Sequence, residues 1–500
     1  MADQVIAIIG AGLAGLAAGV YAQLNGYRSH IYEHHSHPGG VAAWWRRGSY
    51  HIDGGIHFLM GHRPGGLLYE LYRELGTAAP ETVTDMTEYG RFLDETSGKS
   101  AFITSDLAQA AASLKALSPA DAAPIDDLMA GARAFLAAGA FDIGMGDPPE
   151  LASPLDSIRQ LWGMRKVARY FVGRYGRTSA EYAQAVRDPT LRYLVENLFM
   201  PESPVWFIMM LLGLLASGDM GLLVQGCEGF VRPIERRYLD LGGQITYGAT
   251  VEKILVEGDR AVGVRLADGS EHRADAVISA GDGHSTIFEM LDGRYADEKI
   301  RARYRDWKLI RPWAMISFGV AREFPGEPHF TMIRLAKPFD VGPQRIEALA
   351  LRVFNYSPCF APPGKTVIQP SFETDWDYWN DLQRDRPRYE AEKERVADEV
   401  LRRLEVHYPG LSSQVEMTDV ATPYTTWRYT LNHHGAYEGW LPTGQQIMQA
   451  LPRTLPGLAS FVMAGQWVMP GGGVPICLLS GRDAVRILRK QEGRPFVSHV

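Results

Sequence analysis

The run Gly10-Ala11-Gly12-Leu13-Ala14-Gly15 lies directly between an apolar, β-branched segment and a helical pattern. No other feature of the chain restricts its fold as much. Val5-Ile6-Ala7-Ile8-Ile9 reads as a strand buried on both faces of a parallel sheet. Leu13, Leu16, Ala17, Val20 and Leu24 then recur on one side of a helix, which Asn25-Gly26 stops. A second strand, residues 29–32, ends at Glu33. Gly10 permits the tight turn, Gly12 admits a pyrophosphate to the backbone, and Gly15 lets helix and strand pack closely. Leu13 and Ala14 open a helix whose free N–H groups and partial positive charge attract phosphate. Glu33 sits close to the ~20-residue offset at which an acid accepts hydrogen bonds from ribose hydroxyls. A carboxylate there repels a 2′-phosphate, so the pattern selects FAD or NAD over NADP.

The stretch after Glu33 separates those two. Pro38-Gly39-Gly40-Val41 makes a second glycine turn, and Asp53-Gly54-Gly55 precedes the apolar Ile56-His57-Phe58-Leu59, read as a strand. A nicotinamide domain would continue into a crossover helix here. Another glycine-rich excursion suits the longer FAD, with Gly39, Gly40, Val41, Gly55, Ile56 and His57 as expected contacts. At the far end, residues 460–465 read as a buried strand stopped by Gly465, and Pro470-Gly471-Gly472-Gly473-Val474-Pro475 leads to a helix from about Leu478. Gly465, Gly472, Gly473, Val474 and Pro475 are candidates to face the pyrimidine end of a flavin, where a helix N-terminus favours the reduced form. Between the ends, residues 226–241 read as a glycine turn and helix. A β-meander over residues 245–247, 251–256, 261–266 and 276–279 follows. Val251 either lays its backbone against adenine or is an ordinary strand residue.

Gly10 to Gly15, Glu33, Pro38-Gly39-Gly40, Tyr50 to Phe58, and Ala464-Gly465-Gln466-Trp467 through Gly471–Pro475 to Ser480-Gly481-Arg482 resemble the phytoene desaturase and retinol saturase group. That group belongs to the amine-oxidase-like flavoprotein superfamily. Asp188 to Arg192, Ala361 to Lys365, Thr422 to Tyr424 and Gly435 to Gly439 carry the resemblance over nearly the whole chain. It implies non-covalent FAD and redox chemistry on carbon–carbon bonds of apolar molecules. The fold it implies is α/β, a Rossmann-like FAD-binding domain of glutathione reductase type with an inserted α+β substrate domain. Residues 1–65, 217–290 and 455–500 are expected to form the discontinuous FAD domain, and residues 66–216 and 291–454 the substrate domain. Val41 departs from the group, in which many carotenoid desaturases carry Arg, and Gly226-Cys227-Glu228-Gly229 interrupts an expected glycine pair.

A chain of 500 residues exceeds one simple core. Its net charge of -7 argues against nucleic-acid binding by phosphate neutralisation. Three scattered cysteines, Cys227, Cys359 and Cys477, show no metal or redox spacing and suit a reducing, cytoplasmic setting. No signal peptide is read at the N-terminus. The longest apolar run, residues 205–216, falls short of the ~20 needed to span a bilayer. Peripheral membrane contact and a homodimer are both compatible with the sequence.

Residues 66–215 read as mostly helical, with helices over 67–75, 107–117, 124–138, 157–175, 179–186 and 205–216, the last begun by Ser203 as N-cap. Trp206 to Leu212 is apolar on all faces, a buried helix or the wall of a lipophilic tunnel. Arg165, Lys166, Arg169, Arg174 and Arg177 alternate with aromatic residues, as on a solvated helix or a lipid-facing one. The flavin itself exchanges hydride, so no nucleophile triad or metal is expected. For proton transfer the candidates are His57, Tyr429 and Tyr437, beside His433 and His434. Three readings follow: desaturation or saturation of an apolar alkene, isoprenoid or ring; amine oxidation; or a redox-neutral isomerase or lipid-binding role.

Overall fold

The computed structural model describes residues 4–499, apart from 140–145, 154–157, 159–161, 445, 448 and 450. Its first unit is a parallel sheet in the order Gln244–Tyr247, Arg28–Glu33, Val5–Ile9, Ala276–Ser279, Phe461–Met463. The all-apolar Val5–Ile9 strand is explained by its central place. Ile6 and Ile8 face helices Leu13–Leu24, Gly226–Asp240 and Gly473–Gln491, while Ala7 and Ile9 face the opposite layer. Each fully buried isoleucine contributes about 1.5–3 kcal/mol. That opposite layer is an antiparallel sheet of Val251–Glu257, Arg260–Leu266 and Glu271–Arg273.

The second unit is a seven-stranded sheet in the order Val415–Ala421, Trp313–Val320, Thr366–Glu373, Gln344–Val353, Phe330–Val341, Glu88–Asp94, Ser100–Thr104. Ile316, Phe318, Leu349, Leu351 and Ile368 pack one face onto Val396, Val400 and Leu404 of helix Arg386–His407. From the other face, Gln369 Nε2 donates to the Asp53 carbonyl at 2.9 Å, and Tyr50 packs against Val367. That face therefore closes on the first unit. A helical cluster, including Ala122–Ala138 and Val205–Ala216, covers the sheet's end through Phe92 and Ile103.

Several local expectations change. Residues 66–215 contain strands Val83–Asp85, Glu88–Asp94 and Ser100–Thr104, of 3, 7 and 5 residues, too short for a clear alternation. Only Leu59–Met60 is extended after Gly55, so His57 lies in a loop. Residues 244–247 and 276–279 belong to the parallel sheet, leaving a three-stranded meander. The C-terminal helix begins at Gly473, because the glycine turn itself starts it. Helix Val205–Ala216 is capped by Pro204, and the buried Ser203 hydroxyl makes no hydrogen bond. The start of the helix read over 157–175 lies outside the described residues, and residues 168–176 form two short 3-10 turns. Leu68, Leu71, Tyr72 and Leu75 of helix Leu67–Leu75 pack into the first unit's core. Among the described residues, no helix is long and apolar enough to cross a membrane.

Candidate functional site

Gly10 holds φ at +91°, and its N–H donates to the Tyr32 carbonyl at 2.8 Å. A methyl group on Gly15 would sit 1.8 Å from the Gly10 carbonyl oxygen. Strand and helix thus meet too closely for any side chain. Gly12 caps helix Leu13–Leu24, which has no side-chain cap and no acid in its first turn. Its first N–H groups, beside the buried Leu13 and Ala14, are left for an outside acceptor.

The second glycine turn folds back on the first. Gly39 N–H donates to the Ala11 carbonyl at 3.0 Å, and a methyl on Gly40 would lie 3.3 Å from Gly12 Cα. Val41 stays partly exposed beside them. Glu33 is buried and accepts from the Ala11 N–H at 2.5 Å and the His35 N–H at 2.7 Å. Burial raises its carboxyl above the ordinary range, against the pull of both amides. Next to it, Ala249 N–H donates to the Glu33 carbonyl at 2.8 Å, and Val251, two residues on, is buried in the core with Tyr32.

The C-terminal turn converges on the same place. Methyl groups on Gly10 and Gly465 would lie 3.5 and 3.6 Å from one oxygen, the Ala280 carbonyl. Gly465 N–H donates to Ser480 Oγ at 2.8 Å. Gly472, at φ +51°, presses on Glu438, whose carbonyl a methyl would meet at 2.3 Å. Gly473, the partly exposed Val474 and the buried Pro475 then open helix Gly473–Gln491, again with no acid in its first turn. A methyl on Gly481 would reach the Ala14 carbonyl at 2.4 Å, so the two helices touch. Two open helix N-termini and three glycine turns therefore form one backbone cradle.

On the remaining side, a methyl on Gly55 would meet Ala42 Cα at 2.7 Å and the Val41 carbonyl at 2.8 Å. Ile56 N–H donates to Cys227 Sγ at 3.2 Å. The Tyr437 hydroxyl donates to the Gly54 carbonyl at 2.8 Å, and its ring stacks 5.9 Å from that of His57, 14° from parallel. Burial, helped by the Arg352 charge, holds His57 well below its ordinary value, so the imidazole is neutral. Tyr437 is raised by burial and keeps its proton.

The structure therefore brings His57 and Tyr437 together, but not Tyr429. That residue is 42% exposed and packs edge-on against His35 at 4.7 Å. His433 and His434 stack in turn with His284, at centroid separations of 3.9 Å from His284 to His433 and 4.0 Å from His433 to His434. The His433 N–H donates to Asp282 at 2.9 Å. Burial pushes Asp282 up to about 6, and it lowers His433 to about 3.

Four groups escaped the sequence reading. Asp53 accepts from the Cys227 N–H at 2.8 Å, and burial lifts it to about 6. Glu438, beside Gly472, is pushed by burial to about 7. Arg352 and Tyr356 come from the seven-stranded sheet and the loop after it, within electrostatic reach of Asp53. An arginine closing the run Ala348-Leu349-Ala350-Leu351 was the one signal available.

Residues 13–488 match the family described as flavin containing amine oxidoreductase. The chain belongs to that family. A chloroplastic prolycopene isomerase of Arabidopsis thaliana is 26% identical over 63% of this chain and 54% of its own length. The chain thus spans about half the length of the prolycopene isomerases it matches. The neurosporene-forming phytoene desaturase of Rhodobacter capsulatus is 25% identical over 96% of this chain and 93% of its own. Cyclohexylamine oxidase from Brevibacterium oxydans IH-35A shares the fold, with a TM-score of 0.60 at 16% identity over 98% of this chain and 100% of that one. The family's cofactor, FAD, fits the cradle, since its glycine turns leave room that a single Cβ would fill. FAD is the cofactor of this chain.

Proposed function

We propose that this protein is an FAD-dependent oxidoreductase that desaturates or saturates carbon–carbon bonds of an apolar, isoprenoid- or ring-like molecule. The observation that carries this reading is the match over almost the full length of both chains to a phytoene desaturase. Residues 1–65, 217–290 and 455–500, extended by helix Leu67–Leu75, make the FAD domain in this reading. The rest shapes the substrate. Gly10, Gly12, Leu13, Ala14 and Gly15 would hold the pyrophosphate, Glu33 the ribose, and Val251 the adenine. Gly39, Gly40, Val41, Gly55, Ile56, Gly465, Gly472, Gly473, Val474 and Pro475 would hold the remainder. When bound, FAD supplies the hydride exchange.

The chain's own residues do the rest. Helices Leu13–Leu24 and Gly473–Gln491 direct their positive ends at negative charge. Tyr437 fixes the carbonyls of Gly54 and Gly55 and so positions His57. A neutral imidazole at His57 accepts a proton from a substrate carbon or returns one to it. The partly buried Tyr89, Phe330 and Tyr356 side chains line the neighbouring wall, with the Tyr89 and Phe330 rings edge-on at 5.8 Å. Tyr429, on the exposed nucleotide side, has no such part.

Amine oxidation and redox-neutral isomerisation are the competing readings, the second favoured by the prolycopene isomerase relatives. Anaerobic mixing of the flavin-loaded protein decides among the three. We expect linear polyenes to bleach oxidised flavin or to reoxidise reduced flavin, while amines leave it unchanged. Bleaching by amines alone overturns the proposal, as does polyene isomerisation with no electron acceptor. Replacing His57 with Ala is expected to slow turnover about 100-fold, and full turnover removes its proton role.

The substrate's origin suggests a peripheral membrane contact. Ile158, Trp162 and Val172 are 60%, 67% and 65% exposed, and Arg165 lies 3.8 Å over the Trp162 ring. Cosedimentation with anionic but not neutral vesicles is expected, and is lost on replacing Trp162 with Ser.

A further inference from the structure

In strand Gln344–Val353, Arg352 stands opposite Phe330 on one neighbour and Gln369 on the other. Residues in register share a face. Because Gln369 Nε2 donates to the Asp53 carbonyl, Arg352 lies on the face that closes over Asp53, Gly54, Gly55 and His57. The Arg352 guanidinium sits 5.3 Å over the Phe330 ring. Among the described residues it makes no ion pair and donates no hydrogen bond, and its Nε is buried without a partner.

Arg352 is partly buried, and a guanidinium that has lost part of its water without gaining a partner favours an anion. Asp53, a carboxylate within electrostatic reach, accepts from the Cys227 N–H at 2.8 Å and lies beyond ion-pair distance of Arg352. Tyr89, Tyr356 and Tyr437 offer neutral hydroxyls and ring faces. Five donors are thus held in a fixed fork, inside an aromatic wall, facing the turn that carries His57.

We propose that Arg352 is a specificity-determining residue that binds a carboxylate carried by the otherwise apolar substrate. A bidentate pair of this kind neutralises the partly buried charge and orients the molecule in a single direction along the sheet. The substrate class is then an apolar polyene or ring acid, in place of a plain hydrocarbon. This inference rests on the reading under Proposed function, and deepens it.

The test uses flavin-loaded protein and a panel of farnesoic acid, retinoic acid and bixin, each against its fully esterified form, followed by perturbation of the flavin spectrum. At least one acid should bind about tenfold or more tighter than its ester. Replacing Arg352 with Gln should abolish that preference and leave ester binding unchanged, with Arg352→Lys keeping part of it. If no acid outcompetes its ester on the unaltered protein, the inference is overturned, whether or not the variants fold. Preference retained in Arg352→Gln also overturns it. A changed flavin spectrum or weaker FAD retention in ligand-free Arg352→Gln would assign the guanidinium to the cofactor and overturn it as well. Failure of the unaltered protein to hold flavin breaks the cofactor reading, whereas equal binding of acid and ester by flavin-loaded protein breaks only this one.

Discussion

The two sides of the candidate site are made of different material. On the nucleotide side, Gly10, Gly12, Gly15, Gly39 and Gly40 present backbone, and the closest approaches are between main-chain atoms. On the facing side, His57, Arg352, Tyr356 and Tyr437 present side chains, drawn from three separate segments of the chain. A backbone cradle fixes geometry through sterics alone and tolerates almost no substitution. A side-chain wall fixes chemistry and can be altered one group at a time. The first is suited to a constant cofactor, and the second to a substrate that differs among relatives sharing the fold.

The sharpest break of this contrast is Gly15→Ala. Its Cβ meets the Gly10 carbonyl at 1.8 Å, so the strand–helix junction must open. We expect a loss of about 3 kcal/mol or more of stability, together with loss of bound flavin, read by thermal melting and flavin content. Retained flavin in a stably folded variant would show that the backbone fit is looser than described.

Next comes Glu33→Ala, a side-chain change on the backbone side. Removing the acceptor of the Ala11 and His35 amides should cost about 1–3 kcal/mol, measured as FAD affinity and apo-protein melting. Affinity that is unchanged would leave Glu33 a purely structural tie.

Glu438 tests whether the wall can be tuned through pH. Its carboxyl lies at about 7 in the folded protein and near its ordinary value when unfolded. The native state therefore binds more protons between those values, and stability falls as pH rises from about 4.5 to 7. In apo protein, Glu438→Gln should remove that slope and be about 1–2 kcal/mol more stable than the parent at pH 8, by denaturant titration. A parallel pH profile would show that the carboxyl is solvated.

The smallest effects distinguish the two tyrosines. Tyr437→Phe loses the hydroxyl held by Gly54 and should cost about 1 kcal/mol, with slower turnover. Tyr429→Phe, at the exposed edge, should stay within about 0.5 kcal/mol and leave turnover unchanged. Equal effects would dissolve the distinction drawn between them.

Much of the fold was legible because its rules are local. The Val5–Ile9 strand, the helix after it and helix Val205–Ala216 follow from periodicity within a dozen residues, and the glycine turns from spacing. The strands Glu88–Asp94 and Ser100–Thr104 were not legible. They are held by pairing with each other and with Phe330–Val341, more than two hundred residues away. His57 was found from its neighbours in sequence, whereas Tyr429 and Tyr437, eight residues apart, could not be told apart until the chain turned one inward and left the other at the surface.

By itself, the sequence determined a dinucleotide cradle and its preference for FAD, because glycine conformations and a strand-end acid act over short distances. It also placed the two glycine-rich ends of that cradle about 450 residues apart, at Gly10 and Gly465. Only the tertiary structure decided which face of the seven-stranded sheet meets the Gly54–Gly55 turn. Sheet register sets that face, and register depends on partners far apart in the chain. The same register leaves Arg352 unpaired beside His57, a juxtaposition that no spacing along the chain expresses.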